Sequence, residues 1–130
     1  MKFLRAKIYD ALSKKIMNKK ISNTIGRKPK LITKKLEKRF NEIGYQEENK
    51  NPIVVVRFFS TSGDIWYATE YFHDVKDFYG YASLGDNFKE WGYFYLKELE
   101  DYENQGFYVE RDLHFKEGPL NECLKADGLL

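Results

Sequence analysis

Cysteine is nearly absent. Cys123 is the only one in 130 residues, which excludes an intramolecular disulfide framework and a zinc site built from several thiolates. Long apolar runs are missing as well: the longest aliphatic stretch is Ile53-Val54-Val55-Val56, far short of the roughly 20 residues that span a bilayer. Arg5, Lys7 and Asp10 interrupt the first ten residues, so no secretory signal is read there. Histidine occurs twice, at His73 and His114, and neither lies in an H-E-x-x-H arrangement. Gly80, Gly85 and Gly92 are isolated, and none precedes a Lys-Ser/Thr pair, so no phosphate-cradling loop is present. These absences leave a soluble, cytosolic chain of single-domain length, long enough for one core.

What is abundant is aromatic and charged. Phe, Tyr and Trp make up 17% of the residues, and the charges separate along the chain. Residues 1–40 carry 14 Lys and Arg against Asp10 and Glu37, a formal +12; the other 90 residues hold 8 basic and 18 acidic side chains, or −10. Blocks of one sign in a small protein concern partners more than fold. A +12 segment suits nucleic acid, a ribonucleoprotein or an anionic surface, with binding that weakens steeply in salt. The plainer alternative is that the basic end folds against the acidic body and neutralises it.

Apolar periodicity sets out the elements. Leu4, Ile8, Ala11, Leu12 and Ile16 recur at helical spacing within residues 2–21, although Lys15 and Lys19 fall on the same face. Residues 22–29, with Gly26 and Pro29, read as a linker. A second helix is better marked: Thr33 as N-cap, Ile32, Leu36, Phe40 and Ile43 on one face, and Gly44 as the stop. From Ile53 the period changes from 3.6 to 2. Strands are expected at 53–60, 65–71, 78–83, 91–95 and 108–115, with a short helix at 96–103 between the last two. Within 65–71, Trp66, Ala68 and Glu70 should face one way, and Ile65, Tyr67, Thr69 and Tyr71 the other. Strands joined by short turns imply an α+β fold. It would be an antiparallel meander of about five strands, with N-terminal helices and all helices packed on one side.

Four ordered blocks within that region carry a resemblance. They are Trp66-Tyr67-Ala68-Thr69-Glu70-Tyr71, then Phe78-Tyr79-Gly80-Tyr81, then residues 91–100 (WGYFYLKELE), and finally residues 109–115 (VERDLHF). The chain resembles a family of small proteins of unassigned biochemical function carried by bacterial plasmids, conjugative elements and phages. Its pattern runs WYATEY, an FGY-type strand, LGYFSLxELE and ERDLxF. Trp91 stands where that family usually has Leu, and residues 1–30 have no counterpart in it. The resemblance divides the chain into a basic, partly helical extension at 1–30, an α+β domain at 31–122 and a short C-terminal tail at 123–130. It implies a mobile-element protein in the cytoplasm of a bacterial host, set among antirestriction functions and acting against defences such as CRISPR effectors. Setting of this kind does not by itself specify chemistry.

Candidate residues follow from charge and exposure. Lys14, Lys15, Lys19, Lys20, Arg27, Lys28 and Lys30 form the basic partner-binding set. Tyr67 and Tyr71 are the aromatics expected to face a partner. Arg111, between Val109 and Leu113, calls for a carboxylate, and Glu70 is the candidate for a half-buried ion pair that holds strand register. His73, Asp74, Asp77, Glu110, Asp112 and His114 include enough ligand types for a divalent cation. They read more simply as solvated turn and strand residues, so no metal, cofactor or catalytic residue is assigned. The aromatic ladder between Trp66 and Tyr95 suits a core, a protein interface or a base-stacking platform. Against stacking, residues 64–103 contain Lys76, Lys89 and Lys97 but ten acids, with Glu110 just beyond, a balance that repels phosphates.

The expectation is therefore a non-enzymatic inhibitor that binds a host defence effector protein or its guide-RNA complex, a CRISPR effector first among them. In it, the basic segment would contact RNA or acidic protein and the acidic, aromatic body would dock on basic protein. The alternative is an accessory nucleic-acid-binding protein of a plasmid or phage, and an enzyme comes third.

Overall fold

The structure is a computed structural model, and it describes residues 29–85, 88–102 and 108–130. The expected helix at 2–21 and the linker after it, apart from Pro29, lie outside the described residues. Those described form a mixed α+β fold. In chain order its elements are α1 (Lys34–Ile43), β1 (Ile53–Val54), β2 (Val56–Ser60), β3 (Ile65–Phe72), β4 (Asp77–Leu84), β5 (Phe88–Tyr95), α2 (Leu96–Asp101), β6 (Val109–Arg111), β7 (Gly118–Pro119) and α3 (Leu120–Ala126). None of these helices is long and apolar enough to cross a membrane.

α1 starts and stops where its sequence directs. The Thr33 hydroxyl accepts the Leu36 N–H at 3.2 Å, satisfying one of the helix's orphan donors. Gly44, at φ 77°, ends it and donates its N–H to the Phe40 carbonyl, a conformation a Cβ would strain. Leu36, Phe40 and Ile43 face the sheet, with the Phe40 ring 5.8 Å from Tyr71 and 6.2 Å from Phe78.

The sheet is antiparallel in the order β5-β4-β3-β2-β6. Strands β2 to β5 are a meander as expected, but β6 returns to the far edge and pairs with β2. A small second sheet pairs β1 with β7, so the single strand read at 53–60 breaks at Val55. That residue donates its N–H to the Ala68 carbonyl instead of continuing the ladder.

One sheet face packs on α1 and α2. There Val56, Phe58, Trp66, Ala68, Phe78, Ala82, Phe94, Leu96, Leu99 and Tyr102 are buried together. The opposite face is covered in part by α3, whose Leu120, Cys123 and Leu124 bury Val54 and Tyr67. Helices therefore lie on both sides of the sheet, where one-sided packing was expected. Cys123 and Leu124, read from sequence as the start of a tail, belong to a buried helix. Their spacing is too short a run to announce an amphipathic helix, and only the uncovered apolar face of β3 makes it one.

A β-bulge at Thr69 redirects β3. The register passes from Ala68↔Gly80 to Glu70↔Tyr79, leaving Thr69 without a cross-strand partner. A bulge inserts one residue and so exchanges the faces beyond it. Trp66 and Ala68 point into the α1 face before the bulge, and Tyr71 does so after it. Glu70 is turned to the other side, which strict alternation had reserved for Tyr71.

Candidate binding cleft

By turning Glu70 to the face away from α1, the bulge contributes to an aromatic cleft. On the face away from α1, residues Glu70 and Phe72 of β3, Tyr79 of β4, and Trp91 and Tyr93 of β5 lie side by side. The loop from Tyr45 to Pro52 stands over them as a wall. Together they line an open cleft of about 630 Å³, within the range of small-ligand sites, roughly 300–1,000 Å³.

Its aromatic rings form an unbroken series. Tyr45 stacks on Phe72 at 5.9 Å, Phe72 meets Tyr93 at 6.1 Å, Tyr93 meets Tyr79 edge to face at 4.9 Å, and Tyr79 stacks on Trp91 at 5.9 Å. Cross-strand pairing places them in contact, because Tyr79 is registered with both Glu70 and Tyr93. Tyr45 is 79% exposed and Tyr93 38%, so ring faces are open to solvent.

Two buried side chains, Gln46 and Glu70, tie the wall to the sheet, and the Leu120 and Asn121 N–H groups bond its far end at the Pro52 carbonyl and Asn51 Oδ1. Gln46 donates through Nε2 to the Ile53 and Thr69 carbonyls, both at 2.9 Å, and accepts the Ile53 N–H at 2.8 Å. Its own backbone N–H donates to Glu70 Oε2 at 2.8 Å. A buried amide with this many partners is rigid, since each lost bond would leave a desolvated polar group. Glu70 is itself 8% exposed. Burial, followed by the phenol of Tyr93 and the carboxylates of Glu70 and Glu47, pushes the Tyr79 hydroxyl above the ordinary phenol range. The cleft floor thus sets a buried carboxylate beside aromatic rings, and among the described residues its lining also carries Glu47 and Lys50.

The residues singled out from sequence are placed differently. Lys14, Lys15, Lys19, Lys20, Arg27 and Lys28 lie outside the described residues, and Lys30 is exposed. Tyr67 was expected to face a partner but is wholly buried under α3, its hydroxyl donating to Asp127 Oδ2 at 2.5 Å. Tyr71 was expected there too, yet it packs 4.9 Å from Phe78 against the α1 core, because the bulge reversed its face. Glu70 and Arg111 do not pair. Arg111 is registered with Phe58 on the α1 side of the sheet and donates Nε to the Lys30 carbonyl at 2.8 Å. Glu70 lies on the opposite side, bonded to Gln46.

The arginine that needs carboxylates is Arg57. It binds Asp127 through Nε at 3.0 Å and Nη2 at 3.1 Å, and Asp112 through Nη1 at 3.2 Å. Sequence held a signal for it, since Arg57 interrupts the densest β-branched and aromatic run between Val56 and Phe58. The cleft residues Tyr45, Gln46 and Phe72 had no such signal, because the loop and the bulge that assemble them are tertiary features. Among the described residues no group of three or more His, Cys, Asp or Glu is placed to hold a metal ion.

No curated protein and no solved structure matches the chain. The sequence pattern of one family does, over residues 30–126, a span that takes in α1, both sheets, the cleft and α3. The chain accordingly belongs to that family, DUF2958, described as proteins of unknown function.

Proposed function

We propose that this chain is a binding protein that inhibits a host defence ribonucleoprotein, with a CRISPR effector as the foremost target. The observation that carries the reading is the preformed aromatic cleft, walled by a loop that Gln46 locks to the sheet. Exposed Tyr45 and Tyr93, with half-buried Tyr79 and Trp91 beside them, supply contact area at little entropic cost, as aromatic residues do in protein interfaces. The charge division supports a composite partner. The acidic body is complementary to basic protein, while Lys14, Lys15, Lys19, Lys20, Arg27, Lys28 and Lys30 suit RNA or acidic protein. The mobile-element setting implied by the sequence resemblance supplies the biological direction.

The test uses the full chain. Expressed in a bacterium whose CRISPR effector restricts an incoming plasmid, it should restore transformation and co-elute with the effector–guide complex after nuclease treatment. Unchanged interference with no co-elution would refute the reading. The +12 segment favours a second reading, an accessory nucleic-acid-binding protein. That alternative requires salt-sensitive gel shifts with bare RNA or DNA and no protein partner.

A further inference from the structure

The aromatic floor, the buried carboxylate and the fixed loop define what the cleft would accept. We infer that it is a receptor for an arginine side chain presented by a partner protein, with the guanidinium lying on the Tyr79–Trp91–Tyr93 rings and its N–H edge directed at Glu70. The inference rests on the protein-binding reading above and names the chemistry that the partner must present.

Three observations support it. Cations are attracted to the faces of Trp and Tyr rings, and more strongly where water is excluded. Here Tyr79, Trp91 and Tyr93 adjoin one another on the floor of a single cleft. Second, Glu70 is more than nine-tenths buried, and its Oε2 accepts the Gln46 N–H. Its Oε1 accepts no hydrogen bond among the described residues. A carboxylate with a spare acceptor beside aromatic faces is complementary to a planar donor fork. Third, among the described residues the lining holds Glu47 and Glu70 against Lys50, a formal excess of one negative charge.

Guanidinium fits better than the alternatives. It is planar, weakly hydrated and stacks on rings while donating from its edge, whereas the lysine ammonium is compact and strongly hydrated. A nucleobase also stacks on aromatics, but its phosphates would approach Glu47 and Glu70.

The peptides Ac-Gly-Arg-Gly-NH2 and Ac-Gly-Cit-Gly-NH2, the second carrying citrulline, the neutral isostere of arginine, are titrated into the isotopically labelled full chain. Amide and indole N–H resonances report binding. The arginine peptide should shift the Trp91 indole and the Gln46 backbone amide, with the citrulline peptide about tenfold weaker. Glu70→Gln keeps an acceptor for the Gln46 N–H but removes the charge, and should weaken the arginine peptide about tenfold at unchanged melting temperature. Tyr93→Ala, at an exposed ring, should weaken it several-fold, and it serves as the reporter if Glu70→Gln does not fold.

Equal binding of the two peptides, or shifts confined to residues outside the cleft, would overturn the inference. So would an oligothymidylate that moves the same resonances at lower concentration than the arginine peptide. Failure here stays separate from failure of the proposed function. An effector that is still captured and inhibited by both variants removes the arginine receptor alone. Arginine-peptide binding at the cleft without any effector interference removes the defence reading alone.

Discussion

Replacing Asp127 by alanine removes one carboxylate that serves two partners, the half-buried Arg57 and the buried Tyr67. Asp127 accepts Arg57 in bidentate geometry at 3.0 and 3.1 Å, and accepts the Tyr67 hydroxyl at 2.5 Å. The Arg57 and Asp127 side chains are 18% and 21% exposed, and Tyr67 is fully buried. Breaking a buried pair costs about 3–5 kcal/mol. Here residual exposure and the second carboxylate, Asp112 at 3.2 Å from Arg57, lower that share to about 2 kcal/mol. Stranding the Tyr67 hydroxyl adds about 1 kcal/mol or more. The sum is a loss of about 3 kcal/mol, a large part of the roughly 5–15 kcal/mol that holds a domain. At roughly 4 °C per kcal/mol for a chain of this size, the melting temperature should fall by about 10–15 °C. Because Asp127 fastens the end of α3 to β2 and β3, amide exchange in Leu120–Ala126 should accelerate more than exchange in α1. The control is Arg111→Ala, which removes only a solvent-exposed bond to the Lys30 carbonyl and should cost less than about 1 kcal/mol. A D127A protein that melts within 2 °C or so of the parent, or an R111A protein that melts lower than D127A, would refute the reasoning.

Two further outcomes are expected. Gly80→Ala should be severely destabilising, by about 3 kcal/mol or more in denaturant midpoint measurements. The new Cβ would lie 1.9 Å from the Tyr67 carbonyl oxygen, a backbone atom in the centre of the sheet. Gly118→Ala, which meets nothing within 4 Å, should be nearly neutral, and equal effects would refute the close-approach argument. Burial first, then the hydrogen bond to Asp127 and its charge, hold the Tyr67 phenol protonated well above the ordinary range. Its folded pKa is raised, so its contribution to stability is complete below about pH 10 and drains as pH rises above that value. Tyr102, raised by burial and by Asp64 and Glu98, acts in the same direction. Stability measured from pH 8 to 11 should therefore fall less steeply above pH 10 in Tyr67→Phe than in the parent, and parallel profiles would contradict this.

The elements legible in sequence are those whose signal is local. Thr33, Leu36, Phe40 and Gly44 mark α1 because capping and helical periodicity involve residues three or four apart. Strands β2 to β5 are marked by β-branched and aromatic alternation between turn residues, which explains why the antiparallel meander and the α+β class follow from sequence. The charge division, too, is a property of the chain alone.

Tertiary structure decided everything that depends on long-range pairing. β6 crosses to the edge beside β2, and β7 captures β1, because unpaired strand edges far apart in sequence satisfy each other's backbone groups. The bulge at Thr69 exchanges the faces of Glu70 and Tyr71 by a single residue, a slip that alternation counting does not detect. From that exchange follow the burial of Tyr71, the separation of Glu70 from Arg111 and the carboxylate in the floor of the cleft. Arg57 meets Asp112, 55 residues away, because β6 pairs with β2, and meets Asp127, 70 residues away, because α3 packs on the face of β3 where Tyr67 lies. An isolated arginine in an apolar run states a need for a counter-charge, and the fold determines which carboxylates meet it.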